Sequence, residues 1–437
     1  MKKKLLSVLL AGTMALSLLT GCGANENNAG GKQKKDQKGT QLEVWLAPVA
    51  ENTKEVVEPL LTNFEKEHDC KVKVQVIPWE NYTEKWATAV AGGETPDVGY
   101  MYVEMFPDYI TSGIVEDMSK YITDKDREEY LYLDKGYMMD GQYGIPFITG
   151  SPFVMYYNKD ILDELNEDVP ETWDDFYRIC KKSTKDTDGD GKIDQYGYAT
   201  GLNAGGLGMM NSSIYGLIWQ ASGDIYEDNF KKVKFNNAEG VKAIEYFKSL
   251  KPFMPKNVMA LERADAFDTI FGEGKAAFAP GMARQSMEED FAKSYPNLKN
   301  WDFITSLKDK QFGTFGAADS LALLSNSQNK ELAMELIRYM THPDFQKGYL
   351  KSGGMGVPLT KEMMESYELP EKAGKILTTD RDKWRPLQAG PCGNEILKDF
   401  ASRIQEIMGE DADVKKTLDE SATFANDTLK EFWENQE

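Results

Sequence analysis

Between residues 42 and 101 the spacing of apolar side chains changes period four times, and this order constrains the fold more than any other feature. Leu42-Glu43-Val44-Trp45-Leu46 reads as a strand. Residues 52–67 then place Val56, Val57, Leu60, Leu61 and Phe64 on one helical face. Val72, Val74 and Val76 alternate with polar residues as a second strand. Asn81 with Glu84 three residues on has the form of a capping box, opening a helix through Trp86 and Val90. Pro96-Asp97-Val98-Gly99-Tyr100-Met101 is a third strand entered from a turn. A β-α-β-α-β order predicts an α/β fold with a largely parallel sheet and helices on its faces.

The rest of the chain is compatible with that class. Asp140-Gly141-Gln142-Tyr143-Gly144 is a turn leading into an apolar strand that ends Val154-Met155-Tyr156-Tyr157. Thr172 is the N-cap of a helix, with Asp175 at the box position. The C-terminal third is helical over 329–341, 394–408 and 413–433. With 437 residues, 41% of them hydrophobic, the chain holds two or three packed domains.

The N-terminus carries its own signal. Lys2, Lys3 and Lys4 precede a short apolar run from Leu5 to Leu19, the pattern of a secretory signal over residues 1–21. Leu19-Thr20-Gly21-Cys22 resembles the bacterial lipobox, which implies lipidation of Cys22 and a lipid anchor. Residues 22–40, rich in Gly, Asn, Gln and Lys, read as a flexible tether. The protein is therefore expected outside the cytoplasm, anchored to the cell membrane. Cys70, Cys180 and Cys392 remain; they allow one disulfide, and burial as small apolar side chains is the expected alternative.

Charge and histidine content exclude whole classes of function. A net charge of −20 offers no basic face for nucleic acid. Two histidines, His68 and His342, leave little for histidine catalysis or a histidine metal site.

A series of short segments, in order, carries a family resemblance. They are Thr95-Pro96-Asp97-Val98, Ser112-Gly113-Ile114-Val115-Glu116-Asp117-Met118, Asp140-Gly141-Gln142-Tyr143-Gly144-Ile145-Pro146 and Tyr156-Tyr157-Asn158-Lys159-Asp160-Ile161-Leu162. Pro170-Glu171-Thr172-Trp173-Asp174-Asp175-Phe176, Gly272-Glu273-Gly274-Lys275-Ala276-Ala277-Phe278, Asn329-Lys330-Glu331-Leu332-Ala333 and Gly356-Val357-Pro358 follow. Behind a lipobox, this order resembles the extracellular solute-binding proteins of carbohydrate ABC importers, the family that includes maltose-binding protein. The resemblance implies two α/β lobes joined by crossing hinge strands, with the ligand between them. One lobe would hold 41–149 and 280–317, the other 150–279 and 318–437. It also implies a monomer that closes on a sugar or oligosaccharide and delivers it to the permease subunits of the importer.

A sugar site needs aromatic platforms and hydrogen-bonding groups, placed at the carboxyl ends of parallel strands. Glu80 and Tyr82 follow the second strand; Tyr102 and Glu104 follow the third. The family's aromatic position after the third strand falls on Met101, and its acid on Glu104. Tyr215 and Trp219 stand before Ser222-Gly223-Asp224, where the family presents an aromatic; the alternative for Trp219 is a core position in the apolar helix Ile214–Trp219. Met282 replaces a family aromatic near the hinge, and Arg284 beside it offers a planar fork to hydroxyls or a carboxylate, with a surface salt bridge as the alternative. Asp319 lies in a small-residue turn at another crossing strand, and Trp384 with Arg385 in a loop placed to cap the cleft.

Asp186-Thr187-Asp188-Gly189-Asp190-Gly191-Lys192-Ile193-Asp194 sets acids at positions 1, 3, 5 and 9 around a glycine at position 6, as an EF-hand loop does. The bidentate acid of position 12 is absent: Gly197 stands there. The expected ligands of a structural Ca²⁺ are Asp186, Asp188, Asp190, the carbonyl of Lys192, Asp194 and, as in related binding proteins, Gln195; a solvated acidic turn is the alternative. Two other functions compete with sugar import: a secreted polysaccharide-degrading enzyme, since 71 acidic residues leave room for a catalytic carboxylate pair, and the same scaffold binding a non-sugar solute. The lack of a Gly-x-Ser-x-Gly motif and the scarcity of histidine favour a binding protein over an enzyme.

Overall fold

The computed structural model describes residues 39–435, apart from 204–207, 228–229, 369, 378 and 389. The signal segment, Cys22 and nearly all of the tether lie outside the described residues. In chain order the strands are β1 (Thr40–Leu46), β2 (Cys70–Val76), β3 (Val98–Met101), β4 (Tyr137–Met138), β5 (Gly141–Gln142), β6 (Ile145–Asn158), β7 (Tyr196–Tyr198), β8 (Ala276–Met282), β9 (Trp301–Ile304), β10 (Thr314–Leu323) and β11 (Trp384–Arg385). Among the described residues, no helix is long and apolar enough to cross a membrane.

β1 pairs in parallel with β2 along its whole length and with β3 through Val44↔Val98. Helices Thr53–Glu67 and Tyr82–Gly92 make the two crossovers, as the sequence periods require. The parallel character stops there. The main path runs β2-β1-β3-β10-β6-β8-β7, and β10 lies antiparallel to both of its neighbours. The sheet is therefore mixed rather than largely parallel. Asn81 makes no side-chain cap; a 3₁₀ turn, Trp79–Asn81, runs directly into the helix. The Thr172–Asp175 capping box is present in both directions.

β6 and β10 run from one apolar core to another. Ile145, Phe147 and Ile148 of β6 and Leu321 to Leu323 of β10 join a first core with β1, β2 and β3. Phe153 and Tyr157, with Phe315 and Ala317, join a second core built on the helices Ala238–Ser249, Gly393–Glu410 and Val414–Glu434. A third, smaller core lies around Tyr156, Phe267, Phe291 and Ile376. At the crossing, Gly150 has φ +68°, and a Cβ there would lie 2.8 Å from Val357 Cγ2, so the strand turns where only glycine fits. β10 shifts register between Gly316 and Ala318 and between Asp319 and Ser320, which bends its path beside that turn.

The lobe boundaries differ from those expected. Residues 280–317 do not join the first lobe, because β8 pairs with the second half of β6 and with β7. Conversely, β10 carries the chain back to the first core. Helix Lys330–Thr341 there buries Leu336, Ile337 and Met340, each contributing about 1.5–3 kcal/mol of apolar burial. The stretch from Leu321 to Leu350, with Met363, thus packs with the first lobe, while Val357 and Leu359 join the third core, and the second lobe resumes at Gly393–Glu410. Cys70 and Cys180 are buried and Cys392 half-buried, and all three are free thiols.

Candidate ligand-binding cleft

The carboxyl ends of β1, β2 and β3 open on one edge of the first lobe. After β2, extended Pro78 ends the strand, and the 3₁₀ turn presents Trp79, 47% exposed. Its ring lies 5.3 Å from that of Tyr82, 6.1 Å from Tyr100 and 6.4 Å from Tyr102. Tyr100 of β3 and Met101 are both buried in the first core, and Tyr102, just after the strand, packs against it half-buried. Tyr82 is buried and donates its hydroxyl to the Tyr100 carbonyl at 2.6 Å, so it anchors the cluster from below. Trp79 is the open platform of the group. Its place directly after the second strand already sets it at the carboxyl-end edge in the sequence, and its exposure distinguishes it from its neighbours.

Acids stand behind these rings. Tyr100 donates its hydroxyl to Asp319 of the crossing strand β10. Burial pushes the Asp319 carboxyl up to about 7, and the charge of Glu104 adds to the rise against the opposing Tyr100 hydrogen bond. Glu104, held in the turn Val103–Met105, is buried, which pushes its carboxyl to about 7. From the second lobe, Tyr215 and Tyr226 bring buried phenol groups, that of Tyr215 with no hydrogen-bond partner among the described residues. Burial raises both phenols, and the charge of Glu104 acts on each, so the two lobes meet around this carboxyl. Tyr226 was not anticipated from the sequence.

On the same edge, the loop after β1 faces the loop after β8 across a groove of about 890 Å³. Pro48 and Glu51 line one wall, Arg284 and Gln285 the other, with Leu350 to Gly356 at one end. Arg284 is exposed and makes no ion pair among the described residues, so it is a free cation facing the groove. Met282 is half-buried against the second core. A depression of about 630 Å³ around Lys251 and Met254 is lined by second-lobe residues alone and joins no group from the first.

Three expected contacts do not form a sugar surface. Trp219 is a core residue: it is 1% exposed, Arg385 covers its ring at 4.4 Å, and its Nε1 donates to Asp224 at 3.0 Å. Arg385 in turn pairs with Asp224 at 3.1 Å. Trp384 does not cap the cleft. It is buried over Gly316, where an added Cβ would lie 2.5 Å from its ring, and its Nε1 donates to the Ile376 carbonyl at 3.3 Å. It therefore pins the crossing strand β10, which β11 pairs in parallel. Glu80 lies exposed on the 3₁₀ turn.

The acidic loop is a separate feature. One carboxylate oxygen from each of Asp186, Asp188 and Asp194 lies within 4.8 Å of the others. Asp190 instead pairs with Lys192 at 3.2 Å, outside that group. Gln195 donates its amide to the Ser183 carbonyl at 2.8 Å. The N–H groups of Gly191 and Gly189, each at 2.7 Å, hold the Asp186 carboxyl below the usual carboxylate range. The Thr187 hydroxyl and N–H do the same for Asp194. Three of the expected ligands therefore converge, and Asp190 does not.

Comparison with known proteins follows from this architecture. Residues 45–347 match the model of the bacterial extracellular solute-binding protein family. The galactooligosaccharide-binding protein of Bacillus subtilis is 26% identical over 98% of both chains. The diacetylchitobiose-binding protein of Streptomyces coelicolor is 25% identical over 84% of each. Among solved structures, a substrate-binding protein of Listeria monocytogenes in complex with cycloalternan superposes with TM-score 0.74 at 21% identity, covering 90% of this chain and 100% of that one. The sugar-binding protein MalE of Xanthomonas citri gives TM-score 0.74 at 19% identity, over 91% and 100%. The crossing strands, the two principal cores and the family match together place this chain among the bacterial extracellular solute-binding proteins.

Proposed function

We propose that this protein is the ligand-capturing subunit of an ABC importer and that its ligand is a neutral oligosaccharide. The single observation that carries the reading is the meeting of the two lobes around Glu104. Trp79 supplies an exposed aromatic face for the C–H side of a sugar ring, while Glu104, Asp319 and the phenols of Tyr215 and Tyr226 supply hydrogen-bonding groups for its hydroxyls. Arg284 would add a charged donor from the neighbouring groove, which it lines with Pro48 and Glu51. Relatives whose names specify galactooligosaccharide and diacetylchitobiose support this ligand class. The bound protein would pass its ligand to the permease, and Cys22 would hold it at the membrane surface through an acyl chain. Ca²⁺ would sit at Asp186, Asp188 and Asp194 as a structural ion.

Two carboxyls that both titrate near 7 are also what glycoside hydrolysis employs. Here Asp319 is bonded to Tyr100 and lies on a hinge strand, an arrangement that suits binding and closure. The test is thermal-shift screening against galacto-oligosaccharides, diacetylchitobiose and maltodextrins, followed by scattering and chromatography. A ligand that raises the melting temperature, compacts the protein and is recovered intact supports the proposal. A cleaved ligand means an enzyme.

A further inference from the structure

The helix Gly393–Glu410 belongs to the second lobe, yet its first turn is tied to the first. Its N-cap, Cys392, makes no side-chain cap of its own. The Cys392 N–H instead donates to Asp108 Oδ1 at 2.6 Å. Asp108 lies on Phe106–Thr111, whose Phe106 packs in the first core, whereas Ile396 and Leu397 of the long helix pack in the second. The tie therefore crosses between lobes, beside the turn Val103–Met105 that holds Glu104. A weaker contact runs parallel to it, Tyr102 to Asn394 at 3.5 Å.

We infer that Asp108 is a cross-lobe helix cap that holds the two lobes in the arrangement this structure shows. An N-terminal turn leaves backbone N–H groups without partners and carries a partial positive charge, so a carboxylate there is favoured on both counts. Ordinarily the cap comes from the helix's own chain neighbour. Here it comes from the opposing lobe, so the stabilisation exists only while the lobes are together. Cys392 has φ +56°, in the left-handed region that a non-glycine residue occupies at a cost, and this aims its N–H out of the helix toward Asp108. No cation pairs with Asp108 among the described residues, and Glu395 is the charged neighbour that acts on it, so the helix terminus is its favourable partner. Asp108 does not line the groove, which makes it a positioning residue for the lobes rather than a ligand contact.

The test is made on the ligand-free mature protein. In Asp108→Ala, hydrogen–deuterium exchange over residues 391–396 should quicken about tenfold, and the radius of gyration from X-ray scattering should increase, the loss expected for one charged hydrogen bond. Asp108→Asn should restore both readouts, because its amide oxygen still accepts the Cys392 N–H. Should Asp108→Ala fail to fold, Asp108→Ser, whose hydroxyl is too short to reach, is read in its place. Unchanged exchange and scattering in the folded variant, or an Asn variant that opens as the Ala variant does, would overturn the inference.

Discussion

Acidic residues do opposite things in two regions of this molecule. In the cleft, Glu104 and Asp319 are carboxyls pushed up to about 7 by burial. In the loop Asp186–Asp194, carboxyls of the same chemistry are held below their usual range by backbone and hydroxyl donors in open solvent. The difference is one of partners and exposure. A loop wrapped around its own N–H groups satisfies its charge, whereas burial among aromatic rings and phenols between the lobes raises the cost of a charged carboxyl. The first region disfavours charge; the second is nearly self-sufficient.

The comparison breaks first at Glu104. Its carboxyl has a higher pKa folded than unfolded, so its ionisation opposes folding. Stability is full below about 4.5, the ordinary value, and is lost as pH rises toward about 7. Glu104→Gln should flatten that limb, leaving the variant about 2–3 kcal/mol more stable than the parent at pH 7.5 relative to pH 4, measured by denaturant unfolding across pH. An unchanged slope would mean that Glu104 is solvated. A smaller effect is expected at Tyr100. Tyr100→Phe removes the hydroxyl that lowers the Asp319 carboxyl, so carboxyl titration by carbon NMR should find Asp319 higher still, at a cost of about 1–2 kcal/mol in stability.

The loop should respond in the other direction. Its acids contribute stability above the ordinary carboxylate pKa, and that contribution is lost as pH falls through their lowered values, on the acid side of about 4. Asp194→Asn should therefore change only the acid limb of the stability profile. Added Ca²⁺ should raise the melting temperature of the parent, and Asp188→Ala should abolish the rise. A calcium response that survives Asp188→Ala would place the ion elsewhere. This is the smallest of the expected effects, because the loop already satisfies much of its own charge.

The sequence made parts of this structure readable and hid others, for physical reasons. Local order was legible wherever period decides it: β1 to β3, their crossovers, and the helices Lys330–Thr341, Gly393–Glu410 and Val414–Glu434. The allotment of 280–317 and 318–363 between lobes was not, because strand pairing across the hinge is a long-range choice that no local pattern encodes. In the site, Tyr82, Tyr102, Glu104, Tyr215 and Asp319 come together as strand ends and crossing strands require. Trp219 and Trp384 are buried where exposure was expected, because an aromatic in a loop and one in a core look alike until burial is known. Trp79 is the mirror-image case: its place after the second strand was legible, but the exposure that sets it apart is not written in a lone residue.

The central claim is that the cleft edge, with Trp79 as platform and Glu104 as acceptor, takes a sugar between the lobes. Calorimetry on the mature protein tests it directly, using the oligosaccharide that gives the largest thermal shift. The account predicts that Trp79→Ala and Glu104→Ala each weaken affinity about tenfold to a hundredfold while the protein stays folded, the loss of roughly 1–3 kcal/mol for a stacking face or a charged hydrogen bond. Parental affinity in both variants would contradict it.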